Sequence, residues 1–135
     1  MSIKPLLPLL LLLLALVACG GNDETAGPQP VGDAANGELL FARPLIGAEN
    51  APGCITCHSL FPDVTLVGPS PVGVAARAEA AAPGQTAEQY LRESITRPDA
   101  YLVAGFDPGQ MYQNYGEELT EEEIDDLVAY LLTLR

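Results

Sequence analysis

The sequence predicts an all-α domain in which a few helices are joined by long loops, and three observations carry that expectation. Near the carboxyl end, Ile124, Leu127, Val128, Leu131 and Leu134 recur at helical spacing, the pattern of a helix that buries one face. A second helix opens at Thr86-Ala87-Glu88-Gln89, which has the form of a capping box. No segment alternates apolar and polar residues well enough to read as a strand, and no internal repeat is visible.

Of the 135 residues, the first 18 read as a targeting signal rather than as part of the fold. Lys4 precedes an apolar run from Leu6 to Ala18 that only Pro8 interrupts. A bilayer span takes about 20 such residues, so the run is too short and suits the core of a secretory signal. Its ending, Leu16-Val17-Ala18-Cys19, resembles the lipobox of bacterial lipoproteins, in which the cysteine is lipidated and the peptide bond before it is cut. The resemblance implies that Cys19 becomes the acylated first residue; a short buried helix or an uncleaved anchor is the alternative. Residues 19–32 then form a lipidated tether rich in Gly, Pro and acidic groups, with a typical reach of about 20 Å. Residues 33–135 form the domain.

Charge narrows the partners. The chain has a formal net charge of −12 and six basic residues, of which Lys4 is the only lysine. Loss of residues 1–18 takes that one positive charge and leaves −13, with Arg43, Arg77, Arg92, Arg97 and Arg135. Such a surface excludes nucleic acid and a polybasic membrane patch. It leaves lipid on Cys19 as the expected membrane attachment.

Along the domain, Asp33 is placed to cap a helix over 34–42 with Gly37, Leu40 and Phe41 on one face, ended by Pro44. Leu45 to Gly53 reads as a loop, and Ser59 to Val67 shows no clear pattern. In the Thr86 helix, Tyr90, Leu91, Ser94 and Ile95 point inward until Arg97-Pro98 stops it. Glu88 with Arg92 and Glu93 with Arg97 stand four apart in the favourable order for ion pairs. From Pro98 to Leu119 a long segment with Gly105, Pro108, Gly109 and Gly116 shows no period, and a loop of that length points to function. Thr120-Glu121-Glu122-Glu123 caps the last helix with carboxylates at its positive end.

The chemistry concentrates in Cys54-Ile55-Thr56-Cys57-His58, a C-x-x-C-H run. This is the attachment signature of c-type haem: each thiol forms a thioether to a vinyl group, and the next residue brings an imidazole to the iron. A zinc site needs four ligands, whereas the chain has one histidine and one further cysteine, Cys19. A redox dithiol would sit in strand-helix-strand surroundings, which are missing here. Cys54 and Cys57 are therefore the expected anchors of one covalent haem c, and His58 its proximal ligand. One thiol to lipid and two to haem leave none for a disulfide.

For the second axial position the mature chain offers no other histidine, no lysine and one methionine, Met111. Either Met111 fills a gap in the core and the iron stays open, or it ligates; elimination favours ligation. A thioether sulfur favours ferrous iron and raises the potential, which suits an electron carrier. An open iron would instead suit a haem enzyme or a gas sensor.

With these pieces in view, residues 33–135 resemble a class I monohaem cytochrome c: the Gly37/Phe41 helix, Cys54 to His58, Gly68-Pro69, the methionine loop and the aromatic-bearing last helix. The resemblance implies a small fold of helices packed around one covalent haem, with first and last helices crossing at Gly37, Phe41 and Tyr130. It also implies that Pro69 offers its carbonyl to the other nitrogen of His58, and it allows Arg77 to face a haem propionate. Tyr90 to Ile95, Pro98, Gly105-Phe106 and Met111 are similar to the cytochrome domain fused to subunit II of haem-copper oxidases and to the monohaem lipoprotein subunit of alternative complex III. The sequence departs from these relatives at Met111-Tyr112, where they usually have Met-Pro. The implied role is single-electron transfer on the extracytoplasmic face of a bacterial membrane, in a respiratory or photosynthetic chain. The implied partners are a quinol-oxidising complex on one side and a terminal oxidase, copper protein or reaction centre on the other.

Overall fold

The computed structural model describes Met1 and residues 31–135. The apolar run Leu6 to Ala18, Cys19 and the tether through Pro30 lie outside the described residues. Among the described residues there are five α-helices, α1 Ala34–Phe41, α2 Val74–Ala81, α3 Ala87–Thr96, α4 Tyr115–Glu118 and α5 Glu121–Thr133. Two short strands, β1 Leu45–Ile46 and β2 Ala51–Pro52, complete the regular structure. No helix among the described residues is long and apolar enough to cross a membrane.

Helix α5 organises the core. Thr120 caps it, taking the N–H of Glu123 while Glu123 reaches back to the Thr120 N–H at 2.9 Å, so two donors of the first turn are satisfied reciprocally. Ile124, Leu127 and Val128 are fully enclosed, as their spacing on one face requires. This face packs chiefly on α1 and also on α3.

Helix α1 is held at its start by Asp33, whose carboxylate accepts the N–H groups of Ala35 and Asn36. It then crosses α5 at Gly37. A Cβ there would overlap the carbonyl of Asp126 and stand 2.8 Å from Cβ of Tyr130, so only glycine lets the two backbones touch. Beside the crossing, the Phe41 and Tyr130 rings meet at 5.5 Å between centroids with a tilt of 58°, a favoured aromatic geometry. Asp126 is buried, and its carboxylate accepts the Asp33 backbone N–H at 2.6 Å. That bond ties the cap of the first helix to the last.

Four features depart from the sequence expectation, one of them α4, a short helix inside the 98–119 segment that reads as a loop. The 45–53 segment is an antiparallel hairpin, pairing Leu45 with Pro52 and Ile46 with Ala51; two residues per strand are too few to show alternation. Gly47 and Asn50 reverse the chain at positive φ, 74° and 60°. Helix α2 is not announced by its sequence, VAARAEAA, which has high helix propensity but no apolar stripe; Ala78, with no exposed surface, and the partly buried Val74 face the core. Arg92 pairs with Glu121 and Asp125 of α5 rather than with Glu88. The start of α5 brings two carboxylates to Arg92, the exposed Glu121 and the mostly buried Asp125, and together they outcompete a single solvated partner on its own helix. The Glu93–Arg97 pair forms within α3.

Replacing Gly37 by Ala is expected to cost about 3 kcal/mol, the upper end of ordinary overpacking. Denaturant unfolding of the wild type and Gly37→Ala proteins, compared at equal slope, measures it.

Candidate haem site

The hairpin delivers the chain to the C-x-x-C-H run through Gly53. Its N–H donates to the Pro44 carbonyl at 2.8 Å, and a side chain at Gly53 would strike the Arg43 carbonyl. One 3-10 turn, Cys54–Thr56, follows. It is closed by Thr56 N–H to Gly53 at 3.0 Å and by Cys57 and His58 N–H to Cys54 at 3.1 and 2.9 Å. The Thr56 hydroxyl donates to the Gly53 carbonyl at 2.6 Å and locks the turn from its side chain. Cys54 opens this turn and Cys57 is its C-cap, three residues apart, and the two form no disulfide.

Cys54 packs against the hydrophobic core, and burial pushes its thiol up to about 11. An environment that disfavours charged sulfur suits a neutral thioether better than a metal thiolate or a reactive dithiol. Among the described residues no three His, Cys, Asp or Glu side chains gather as a metal site would need.

His58 is held through its ring. Nδ1 lies 2.7 Å from the Pro69 carbonyl oxygen, and because a carbonyl only accepts, Nδ1 must carry the proton. The tautomer is thereby set, and Nε2 keeps its lone pair for a metal. Gly68 lies under the imidazole: a Cβ there would stand 2.8 Å from Nδ1 and 3.0 Å from Nε2. The Gly68 N–H donates to the Cys57 carbonyl at 2.9 Å, and His58 forms a bridge with Thr65. The proximal segment is therefore closed on itself.

Arg77 lies one step further out. Its guanidinium donates to the carbonyls of Val72 at 2.6 Å and Ser70 at 2.9 Å. It clamps the stretch just after Pro69 and so supports the carbonyl that orients His58. These two backbone carbonyls are contacts that the sequence, which offered a propionate or solvent, did not announce.

Met111 is half-buried and packs against the core, as do Cys54, Ile55, Tyr101 and Tyr112. Two tyrosines connect its segment to the haem motif: Tyr112, read in the sequence only as a departure from Met-Pro, and Tyr115, which sequence reasoning passed over. Tyr112 and Tyr115 meet edge to face at 5.1 Å, and the Tyr115 hydroxyl donates to the Pro52 carbonyl at 2.5 Å, two residues before Cys54. Burial holds the Tyr115 hydroxyl above the ordinary phenol range, so it stays a donor at all physiological pH. No local pattern announces a bond across 63 residues.

Large apolar side chains stand exposed in both segments that carry the candidate ligands. Phe61, Leu66 and Val67 lie between His58 and Pro69, and Leu102 and Val103 lie ahead of Met111. Apolar surface of this kind is what a ligand with apolar faces covers. The thiols, the oriented imidazole and this surface together fit a haem.

A family model for cytochrome c matches residues 34–135. The chain belongs to the cytochrome c family. A comparison with curated proteins gives no match. Membership makes this a haem c electron-transfer protein with a small class I fold, its haem bound covalently through the C-x-x-C-H thiols of Cys54 and Cys57. Among the described residues, the helices of the cytochrome with a two-stranded sheet beside them agree with that fold.

In this cytochrome, Gly68→Ala is expected to lower the fraction of purified chains that carry attached haem at least twofold, because the new methyl displaces the His58 ring. A pyridine haemochrome assay per mole of protein reads it.

Proposed function

We propose that this cytochrome is a membrane-anchored carrier of single electrons, with His58 and Met111 as the axial ligands of its iron. The observation that carries the reading is the Nδ1 contact of His58 with the Pro69 carbonyl at 2.7 Å, which commits one ring nitrogen and leaves the other for iron. Once attached, haem c supplies a one-electron couple at its iron. The chain's own part is to hold and orient: Cys54 and Cys57 anchor, His58 and Pro69 set the proximal field, and Met111 offers a sulfur that favours the ferrous state. Met111 is supported by elimination, since Met1 is the only other methionine, and it packs half-buried against the same core as Cys54 does.

The cellular setting is proposed on the sequence. Acyl chains on Cys19 would hold the domain at the extracytoplasmic face, on a tether that lets it range over the membrane. The protein serves either as a free carrier supplied by a quinol-oxidising complex or as a subunit of such a complex, of the alternative complex III type, and it passes electrons to a terminal oxidase, copper protein or reaction centre. With no lysine in the mature chain, steering acts only toward a basic partner surface.

Met111→Ala is expected to keep its covalent haem, lose the far-red sulfur-to-iron band of the oxidised protein, drop in potential, and bind carbon monoxide when reduced. Axial ligation contributes to a range of about 0.8 V among haem proteins, so the shift should be plain. A wild type that binds carbon monoxide as fast as the mutant would assign the protein to the open-iron class of enzymes and sensors instead.

The anchor has its own check. Cys19→Ser should release a haem-containing domain to the soluble fraction or leave it on an uncleaved signal, since stable anchoring takes at least two acyl chains. Intact mass spectrometry of the wild type lacking acyl mass on Cys19 overturns the lipoprotein assignment.

A further inference from the structure

Met111 lies in a part of the chain that its own backbone does not hold. From Asp107 to Gln113 no backbone group bonds to another backbone group of the described residues, and Gly105 and Gly109 on the approach have positive φ, 93° and 77°. The position of a methionine in such a segment depends on side chains.

Two sets of side chains supply that restraint. Asp99 accepts the Gly109 N–H at 3.0 Å and the Gln113 amide at 3.2 Å, and that amide also donates to the Met111 carbonyl at 2.8 Å. These groups are exposed, apart from Met111, so water competes for each bond. The second set is half-buried. The Tyr112 hydroxyl donates to Oε1 of Glu118, while Oε2 of Glu118 is buried with no partner among the described residues. The phenol is thus the donor on which this carboxylate depends.

Glu118 is itself fixed to the rest of the fold. It ends α4, its carbonyl accepts the Ala48 N–H from the hairpin turn at 3.2 Å, and its Cβ abuts Gly47. On the other side, the Tyr112 ring leans on Tyr115, whose hydroxyl reaches Pro52 ahead of the haem motif. One side chain, directly after Met111, therefore fastens the methionine segment to the same hairpin that positions Cys54.

We propose that Tyr112, held by its hydroxyl on Glu118, is a positioning residue for Met111, keeping the thioether sulfur available to the haem iron. The proposal rests on Met111 as the distal ligand, and its test separates the two. Holoproteins with covalent haem are compared as wild type, Met111→Ala, Tyr112→Phe, Glu118→Gln and Glu118→Leu. Two readouts are taken on each: the sulfur-to-iron band of the oxidised form and the rate of carbon monoxide binding to the reduced form.

Tyr112→Phe and Glu118→Leu are expected to bind carbon monoxide at least tenfold faster than wild type and to lose part of the band. Glu118→Gln, whose amide oxygen still accepts the phenol proton, should fall closer to wild type than Glu118→Leu. A Tyr112→Phe protein equal to wild type in both readouts, while Met111→Ala differs, overturns the positioning role and leaves the ligand assignment standing. A Met111→Ala protein equal to wild type overturns the ligand assignment and the positioning role with it. If Tyr112→Phe yields no holoprotein, the Glu118 pair decides: equal behaviour of Gln and Leu at that position overturns the proposal.

Discussion

At Gly37 the backbone of the first helix lies directly against the carbonyl of Asp126 in the last, and the rest of the domain depends on that contact. Residues 89 apart in the chain set the two ends of the fold side by side. The approach admits no side chain, so the Phe41 and Tyr130 rings meet next to it rather than across it, and the Asp126 carboxylate comes within reach of the Asp33 N–H. Every segment that bears on the haem motif is strung between these two helices. A widened crossing would shift the hairpin that follows α1 and the methionine segment that precedes α5 together.

Within that frame, the proximal side is built from carbonyls and their donors. The Pro69 carbonyl orients His58, and the Arg77 guanidinium grips the next carbonyls along, at Ser70 and Val72. A cation spent on backbone oxygens is a positioning device: it stiffens a loop of little regular structure at the point where a shift of a few tenths of an ångström would weaken the bond to Nδ1. Gly68 serves the same end by letting the chain pass flat beneath the imidazole.

The distal side uses the opposite construction. Its backbone bonds are sparse and its restraint comes from side chains reaching to fixed points, Asp99 on the turn after α3 and Glu118 at the end of α4. Such a segment can exchange its contacts more readily than a helix or a sheet. On the proposed ligation, with His58 held rigidly and Met111 by a few bonds, the protein has one side on which its potential and ligation are tuned by single residues.

What was legible in the sequence was whatever local chemistry dictates. The C-x-x-C-H turn is closed by bonds within five residues, the capping boxes at Thr86 and Thr120 are satisfied three residues on, and the α5 stripe follows from 3.6-residue periodicity. Even the Gly37 crossing was visible through the resemblance to a known family. The tertiary structure decided what depends on distant partners. Arg92 turns to α5 because its carboxylates arrive there on folding, Arg77 finds two carbonyls that only the loop after Pro69 presents, and Tyr115 reaches Pro52 across the sequence. Helix α2 and the two-residue strands carried too little pattern to be read, since alanine fits many states and a pair of residues cannot alternate. Periodicity and caps are properties of neighbours in the chain, whereas a hydrogen bond between segments depends on where packing leaves each of them.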